Sequence, residues 1–212
     1  MKPLIYKELT LSIHKFFFLL PLLLAALMLI PNWIFMLVFM YFFWISIPQI
    51  YSAYLANGDY NFTSVLPIKR DDIVTSKAYA LFILEGVHIA FAVIFGILHN
   101  ILYGQFNLFM DINLAFFGVV ILLYGLFNVI FLPAYFKTAH HFGLPTIYAV
   151  VATLVYGFIF EYGAIKFQWM RDVFEGTLAS QITPFLITTV LGVVISIFAI
   201  KRSQHNFADI DL

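Results

Sequence analysis

Cysteine is absent from this chain of 212 residues, and charged residues make up only 10% of it. The lack of cysteine excludes a disulfide framework, thiol catalysis and cysteine-ligated zinc. Because hydrophobic residues make up 63% of the sequence and aromatic residues 19%, too little polar surface remains to cover a water-soluble globule of this size. The composition therefore predicts an integral membrane protein. Its formal net charge is zero, and no basic excess suggests a nucleic-acid partner.

Motifs that accompany common enzyme chemistry are also missing from the sequence. A phosphate-binding loop of the type GxxxxGK(S/T), a serine elbow GxSxG and a zinc helix HExxH are each absent. The pair His140 and His141 could suggest a metal site, but adjacent residues on a helix point about 100° apart. We interpret them as interfacial histidines. The chain is therefore predicted not to be an enzyme and to hold no cofactor or metal of its own.

Apolar runs long enough to cross a membrane recur along the chain. A hydrocarbon core of about 30 Å needs roughly 20 helical residues. Six runs approach or exceed that length, and they cover residues 16–30, 33–56, 78–98, 113–136, 147–165 and 182–200. The first leads straight into the second without a cleavage site, so we expect it to be retained rather than removed as a signal peptide. The sequence predicts an all-α membrane protein with a single transmembrane domain over residues 1–212.

Lysine and arginine are distributed unevenly between the two sides of these six spans. One side holds nine of them, namely Lys2, Lys7, Lys15, Lys69, Arg70, Lys77, Lys137, Lys201 and Arg202, and the other holds Lys166 and Arg171. Because lysine and arginine favour the cytoplasmic side of a membrane, both termini are predicted to lie inside.

Two segments outside the spans have an amphipathic pattern. In residues 1–15, Ile5, Leu9 and Ile13 fall on one helical face, and Lys7 and Glu8 lie away from it. This pattern favours a helix lying along the inner membrane surface. The segment between the fifth and sixth spans repeats apolar residues about once per turn, and these are Phe167, Met170, Phe174 and Leu178. A short helix at the outer membrane surface is predicted there.

The third span carries small and ionisable residues at helical spacing. Glu85, His88, Ala92, Gly96 and His99 follow one another at intervals of three or four residues, which places them on one face. Such a face is expected to point into protein rather than lipid. Glu85 lies roughly 12 Å from the inner end by helical rise, and the partner expected for it is His88. This polar stripe is either a substrate or proton path or a pair that serves helix packing.

Between the second and third spans, residues 57–77 concentrate charge in an otherwise apolar chain. The stretch SVLPIKRDDIVTSK, residues 64–77, contains two lysines, one arginine and two aspartates. The predicted topology places this loop on the inner side and accounts for its basic residues. It does not account for Asp71 and Asp72, whose charge is suited to a surface that contacts another protein.

Taken together, these elements resemble the membrane subunits of type-two ATP-binding-cassette (ABC) exporters. The resemblance rests on a short inner helix, a tight first hairpin, the loop LPIKRDDIVTSK leading into the third span, and six spans with both ends inside. The opening KPLIYKELTLSIHKFFFLLPLLLAALMLIPN and the middle segment LLYGLFNVIFLPAYFKTAHHFG are similar to a short bacterial branch of that family. That branch includes permeases of peptide-toxin and antimicrobial-peptide exporters.

The resemblance implies an assembly in the bacterial cytoplasmic membrane, built from two membrane subunits, identical or paralogous, and two separate ATPase subunits that bind Mg-ATP. The loop 57–77 would dock on the ATPase and couple its closure to the spans, through residues Asp59, Leu66, Pro67, Lys69, Arg70, Asp71 and Asp72. The pathway would lie at the interface of the two membrane subunits, lined largely by the second and fifth spans, which implicates Gln49 and Tyr156. The Glu85 stripe would lie off this pathway.

Two functions of other classes remain open from the residues alone. One is a secondary transporter that uses Glu85 and His88 as a proton relay, although no inverted repeat is visible. The other is a membrane immunity or scaffold protein that binds peptides without transporting them. For the exporter, walls of aromatic and aliphatic residues suit a hydrophobic or amphipathic peptide, a lipid or a drug.

Overall fold

A computed structural model describes residues 1–104, 109–174, 176–208 and 210. All regular elements in these ranges are helical, which confirms the predicted all-α class. In chain order they are α1 (Lys2–Lys7), α2 (Phe16–Ala25), α3 (Phe35–Ala56), α4 (Asp59–Ser64), α5 (Arg70–Tyr103), α6 (Leu114–Tyr135), α7 (Gly143–Lys166), α8 (Gln168–Phe174) and α9 (Leu178–Ala208). A π-helical turn, Glu8–Ser12, continues α1, and a 3-10 turn, Ala26–Leu29, continues α2.

Five helices, α3, α5, α6, α7 and α9, are long and apolar enough to cross a membrane. The N-terminal helices form a sixth candidate as a bent pair, in which Lys2–Ser12 and Phe16–Leu29 meet at 81°. Five or six candidate spans agree with the predicted count. The sharp bend also separates α1 and its π-helical turn from the first apolar run, as a helix along the membrane surface requires.

Helix bounds differ from the predicted spans chiefly at the end of the bundle that is predicted to lie inside. Helix α5 begins at Arg70 rather than at Ala78, because Asp71 and Asp72 in its first turn interact favourably with the positive end of the helix dipole. The predicted boundary followed apolarity alone and stopped at the first charged residue. Residues 57–77 therefore do not form one loop: they comprise α4, the connection 65–69 and the first two turns of α5.

Helix α6 lies at the centre of the bundle and approaches α9 very closely. A Cβ atom added at Gly125 would lie 2.6 Å from the carbonyl oxygen of Gly192, and one added at Gly192 would lie 2.6 Å from that of Ile121. These two glycines therefore let the backbones of α6 and α9 meet directly, as small residues do between membrane helices.

Aromatic side chains fill the space between α3 and α6. The rings of Phe43 and Phe127 stack with their centroids 3.7 Å apart, and Tyr124 packs edge-on against Phe43 at 5.0 Å. Nearer the end of the bundle that is predicted to lie inside, Tyr51 packs against Tyr135 at 4.5 Å. Each such pair adds about 0.5–1.5 kcal/mol to the free energy gained from burial, so this layer fixes how α3 and α6 sit against each other.

Both terminal segments lie at the same end of the bundle. The Lys7 ammonium contacts Asp59, which precedes α5, and the Arg70 guanidinium at the start of α5 donates to the carbonyl oxygens of Ala208 and Ile210 at 2.9 and 2.8 Å. An even number of membrane crossings produces this arrangement, so it agrees with six spans. We call this the basic end of the bundle.

The short helix α8 occupies the segment predicted to be amphipathic, at the opposite end of the bundle. Met170 is buried and Phe174 packs against Phe160 at 5.8 Å, whereas Phe167 and Leu178 are exposed. Only the two central apolar residues of the predicted stripe therefore face protein. The segment is attached to α6 by Asn113, whose side-chain amide donates to the Phe174 carbonyl at 3.0 Å.

The contact between α6 and α9 predicts that alanine is destabilising at Gly125, unlike at a glycine outside the contact. Gly125→Ala should lower the free energy of unfolding by about 1–3 kcal/mol, because its methyl group overlaps the α9 backbone. Gly86→Ala is the matched control, since no atom lies within 4 Å of its added Cβ, and it should be neutral or stabilising. The two variants can be compared with the unchanged chain by the midpoint temperature of heat-induced aggregation in detergent. Equal midpoints would contradict the close approach.

Candidate functional site

Four charged side chains from three separate segments meet at the basic end of the bundle. Lys7 and Glu8 come from the N-terminal helix, Asp59 from α4 and Lys77 from α5, and we call this group the ion cluster. The Lys7 ammonium lies 2.9 Å from Glu8 and 2.5 Å from Asp59, and the Lys77 ammonium contacts Asp59 and lies 3.3 Å from Glu8. Two positive and two negative charges make the cluster neutral.

Burial makes this neutrality necessary. The side chains of Lys77 and Glu8 are 0% and 1% exposed, and those of Asp59 and Lys7 are 8% and 16% exposed. Charges removed from water at this level are costly unless each has an opposite partner and satisfied hydrogen bonds. Two aromatic rings add to the pairing, since the Lys77 ammonium lies 3.4 Å from the centre of the Tyr54 ring and 4.9 Å from that of Tyr60.

Local backbone geometry places Asp59 in the cluster. Gly58 follows α3 with φ +59°, a left-handed conformation that glycine adopts without a steric penalty and that ends a helix. The chain then turns into α4, where Asp59 occupies the first turn. The Thr63 hydroxyl donates to the Asp59 carbonyl at 2.8 Å and holds this turn closed. A short polar turn therefore directs one carboxylate back toward α1 and α5.

The charge of Asp59 is stabilised by its partners. Burial alone would raise the pKa of the Asp59 carboxyl, but the ammonium groups of Lys77 and Lys7 lower that pKa below its ordinary value. Because the folded-state pKa is depressed, this carboxylate stabilises the fold above the unfolded pKa of about 3.9. That contribution is lost as the pH falls through the lower folded-state pKa. The Asp59 carboxyl therefore carries its negative charge at neutral pH.

The seven residues predicted for the ATPase-coupling loop divide into two groups in the structure. Asp59 is buried in the ion cluster, whereas the other six lie at or near the surface. Pro67, Lys69, Arg70 and Asp71 are exposed, and Leu66 and Asp72 are half-buried. We call residues 65–72 the basic-end surface. Arg70 also has a structural role there, since its guanidinium donates to the carbonyl oxygens of Ala208, at the end of α9, and of Ile210 just after it.

Sequence reasoning missed Glu8 and misjudged Lys77. Glu8 was assigned to the polar face of the N-terminal helix, yet it is 1% exposed. Lys77 was counted only as a basic loop residue, yet it is buried at the centre of the cluster. One signal could have pointed to it: a lysine directly before an apolar span has to find an acidic partner when its helix is packed against protein.

All five residues of the polar stripe on α5 are buried, as their spacing predicts. The expected pairing within it was wrong. Glu85 accepts a hydrogen bond from the Asn128 side chain at 3.1 Å, and His88 Nδ1 lies 2.8 Å from the Tyr124 hydroxyl. Both partners belong to α6, because the stripe faces that helix and reaches its polar groups more directly than its own neighbours along α5. Glu85 and His88 therefore do not form the pair that a proton relay would use.

The two residues predicted to line a pathway lie in different surroundings. Gln49 is exposed on α3. Tyr156 is half-buried on α7, and its hydroxyl donates to the Val119 carbonyl of α6 at 2.9 Å. The polar end of Tyr156 is thus directed into the bundle rather than toward a partner subunit. Their role in a pathway stays a prediction.

Comparison with known proteins identifies the family. A family model described as ABC-2 family transporter protein matches residues 3–205, nearly the whole chain. The chain belongs to the ABC-2 family. It is a multi-pass membrane component of an ABC transporter, and such ABC-2 permeases lack an ATPase domain and generally pair with a separate ATPase subunit. No curated protein and no solved structure shows significant similarity to this ABC-2 chain.

Membership of the ABC-2 family explains the missing phosphate-binding loop, since the chain is not an enzyme. Within the described residues, no group of three or more histidine, aspartate or glutamate side chains could hold a metal ion. The His140 ring lies beside the Tyr60 ring, with the two ring centroids 6.5 Å apart.

Breaking the ion cluster should be strongly destabilising. Lys77→Met removes one positive charge and leaves Glu8 and Asp59 with a single buried partner, so we expect a loss of about 3–5 kcal/mol. Adding Glu8→Gln restores a neutral cluster and should recover part of that loss. Lys69→Met, at an exposed position, is the matched control and should change stability by less than about 0.5 kcal/mol. Thermal unfolding of the purified variants measures all three. A double variant as unstable as Lys77→Met would contradict charge balance as the cause.

Proposed function

We propose that the chain is the permease subunit of an ABC exporter and that its basic-end surface receives the motion of a separate ATPase. The observation that carries this proposal is the continuity of α5, which joins an exposed charged segment directly to a residue of the buried ion cluster. Lys69, Arg70 and Asp71 are exposed in residues 65–72, and that segment leads within two turns of α5 to Lys77.

The ion cluster gives this surface a mechanical connection to the bundle. Lys77 of α5 contacts both Glu8 of the N-terminal helix and Asp59 of α4. Since a buried ion pair without its partner is costly, these three segments are expected to move together. A partner that pushes on residues 65–72 would displace the N-terminal helix and α5 as one unit.

The charge distribution supports a cytoplasmic position for this end of the bundle. Nine of the eleven lysines and arginines are on the side of both termini in the six-span topology, and Lys7, Lys69 and Arg70 lie at the basic end. The positive-inside preference would place that end in the cytoplasm. A cytoplasmic ATPase that binds Mg-ATP could then reach it. This fits a chain in the cytoplasmic membrane of a bacterium.

A second permease subunit is the other partner that we infer. The outward faces of α7 and α9 carry many exposed apolar side chains, among them Val151, Val155 and Phe158 on α7. Lipid or a second copy of the chain, or a paralogue, would cover such faces. In the proposed dimer the pathway runs between the two subunits beside α3 and α7, where Gln49 is exposed. Its apolar walls suit a hydrophobic or amphipathic cargo such as a peptide, a lipid or a drug.

Co-purification tests the ATPase partnership. We expect the affinity-tagged chain, solubilised gently from its own cell membrane, to bring down a protein that contains the GxxxxGK(S/T) loop and hydrolyses ATP. The control is the same purification with the tag on an unrelated multi-pass protein of the same membrane. Recovery of the chain alone, under conditions that keep it folded, would favour an immunity or scaffold protein or a secondary transporter instead.

Charge reversal on the basic-end surface tests the coupling role. Lys69→Glu with Asp71→Lys and Asp72→Lys should abolish stimulation of the partner's ATP hydrolysis and reduce transport at least tenfold, because the docking charges are inverted. Arg70 is left unchanged, since its contacts with Ala208 and Ile210 hold α9. The chain should still fold and insert.

A charge reversal at the far end of the bundle serves as the control for that triple variant. Lys166→Glu changes an exposed lysine at the end of α7 and should leave the partner's ATPase rate within twofold of normal. Normal transport by the triple variant would exclude residues 65–72 as the docking surface.

A further inference from the structure

A groove on the surface of the bundle lies away from both the ion cluster and the predicted pathway. It has a volume of about 580 Å³ and opens on the outer surface of the bundle between α5, α6 and α9. Its walls are mostly apolar, with Phe82, Ile89, Ile121, Val193 and Ile197 among the lining residues. A volume in this range accommodates a small amphiphilic molecule.

One acidic side chain lies in the wall of this groove. Glu85 is 6% exposed and lines the groove. Its oxygen Oε2 accepts from Asn128, while Oε1 is buried and has no hydrogen-bond partner in the described part of the chain. Buried polar atoms are nearly always hydrogen-bonded, so an orphaned carboxyl oxygen on a residue that lines an open groove indicates a missing donor.

Positions along the helix axes place this carboxyl far from the basic end of the groove and from the lysine there. The Gln204 side chain donates to the Thr75 hydroxyl at 2.9 Å, which sets the register between α9 and α5 at the basic end. From that level, Glu85 lies roughly 15 Å farther along α5, and Ser196 lies roughly 12 Å farther along α9. Lys201, the groove's cation, is only about 5 Å from the same level. It is exposed and too far along the axis to serve as the donor for Glu85.

We propose that this groove binds a lipophilic amine, a molecule with one ammonium group on an apolar chain or ring system. The ammonium donates to Glu85 Oε1, and the Ser196 hydroxyl lies at a similar level along the helix axes. The apolar part of the molecule lies along Phe82, Ile89 and Val193. A fatty acyl chain would fill the volume but supplies no donor to the carboxyl group. A cation satisfies the orphaned oxygen and pairs with an acid in a medium where such pairs are strong. This site is independent of the proposed coupling to an ATPase.

Photolabelling of the full chain in detergent tests the assignment. The probe is dodecylamine with a diazirine at mid-chain, and the matched neutral probe is dodecanol with the same diazirine. We expect the amine to label α5 and α9 around residues 82–89 and 193–197, and unlabelled dodecylamine to compete. Labelling by the alcohol at these positions should be at least tenfold weaker.

Two variants and one control keep the test specific. Glu85→Gln should reduce amine labelling at least tenfold. Gly86→Leu should do the same by filling the groove, since Gly86 lines it and no atom lies within 4 Å of an added Cβ, so the fold is retained. Glu161→Gln, at a buried carboxylate on α7 that accepts from the Met110 amide, should leave labelling unchanged. Equal labelling by the alcohol, or full amine labelling of Glu85→Gln, would overturn the proposal.

Discussion

A charge buried in an apolar chain needs an opposite charge beside it, and this constraint organises one end of the bundle. Lys77 is fully buried near the start of α5, and its two carboxylate partners come from the N-terminal helix and α4. To deliver Glu8, the N-terminal helix folds back against α5, which produces the 81° bend before α2. To deliver Asp59, α3 ends at Ala56 and the left-handed Gly58 turns the chain into α4. The electrostatic requirement thus accounts for the path of the chain at this end.

Elsewhere in the bundle, the helices are held together by close packing. Close backbone contact at Gly125 and Gly192 joins α6 to α9, and stacked rings such as Phe43 and Phe127 join α3 to α6. The protein therefore combines one end joined by buried ion pairs with an interior joined by close backbone contact and stacked rings.

Sequence patterns predicted the membrane spans because apolar length is a strong local signal. They also predicted that the face of Glu85 and His88 is buried, since spacing alone fixes which residues share a helix face. They failed where partners lie on another helix. The pairing of Glu85 with Asn128, the burial of Glu8 and the tyrosine partner of His88 depend on how helices meet, and a single sequence contains no direct record of that. The start of α5 at Arg70 could have been predicted from the sequence, because acidic residues such as Asp71 and Asp72 in a first turn stabilise a helix.

The unbroken length of α5 has a consequence for the environment of its first turn. A helix of 34 residues is about 51 Å long, whereas a hydrocarbon core is about 30 Å thick and each headgroup layer adds roughly 5–8 Å. If the apolar stretch 78–98 spans the core, Arg70 stands about 12 Å beyond it, outside the headgroup layer. The charged turn is then in bulk water, and a soluble protein can reach it without displacing lipid.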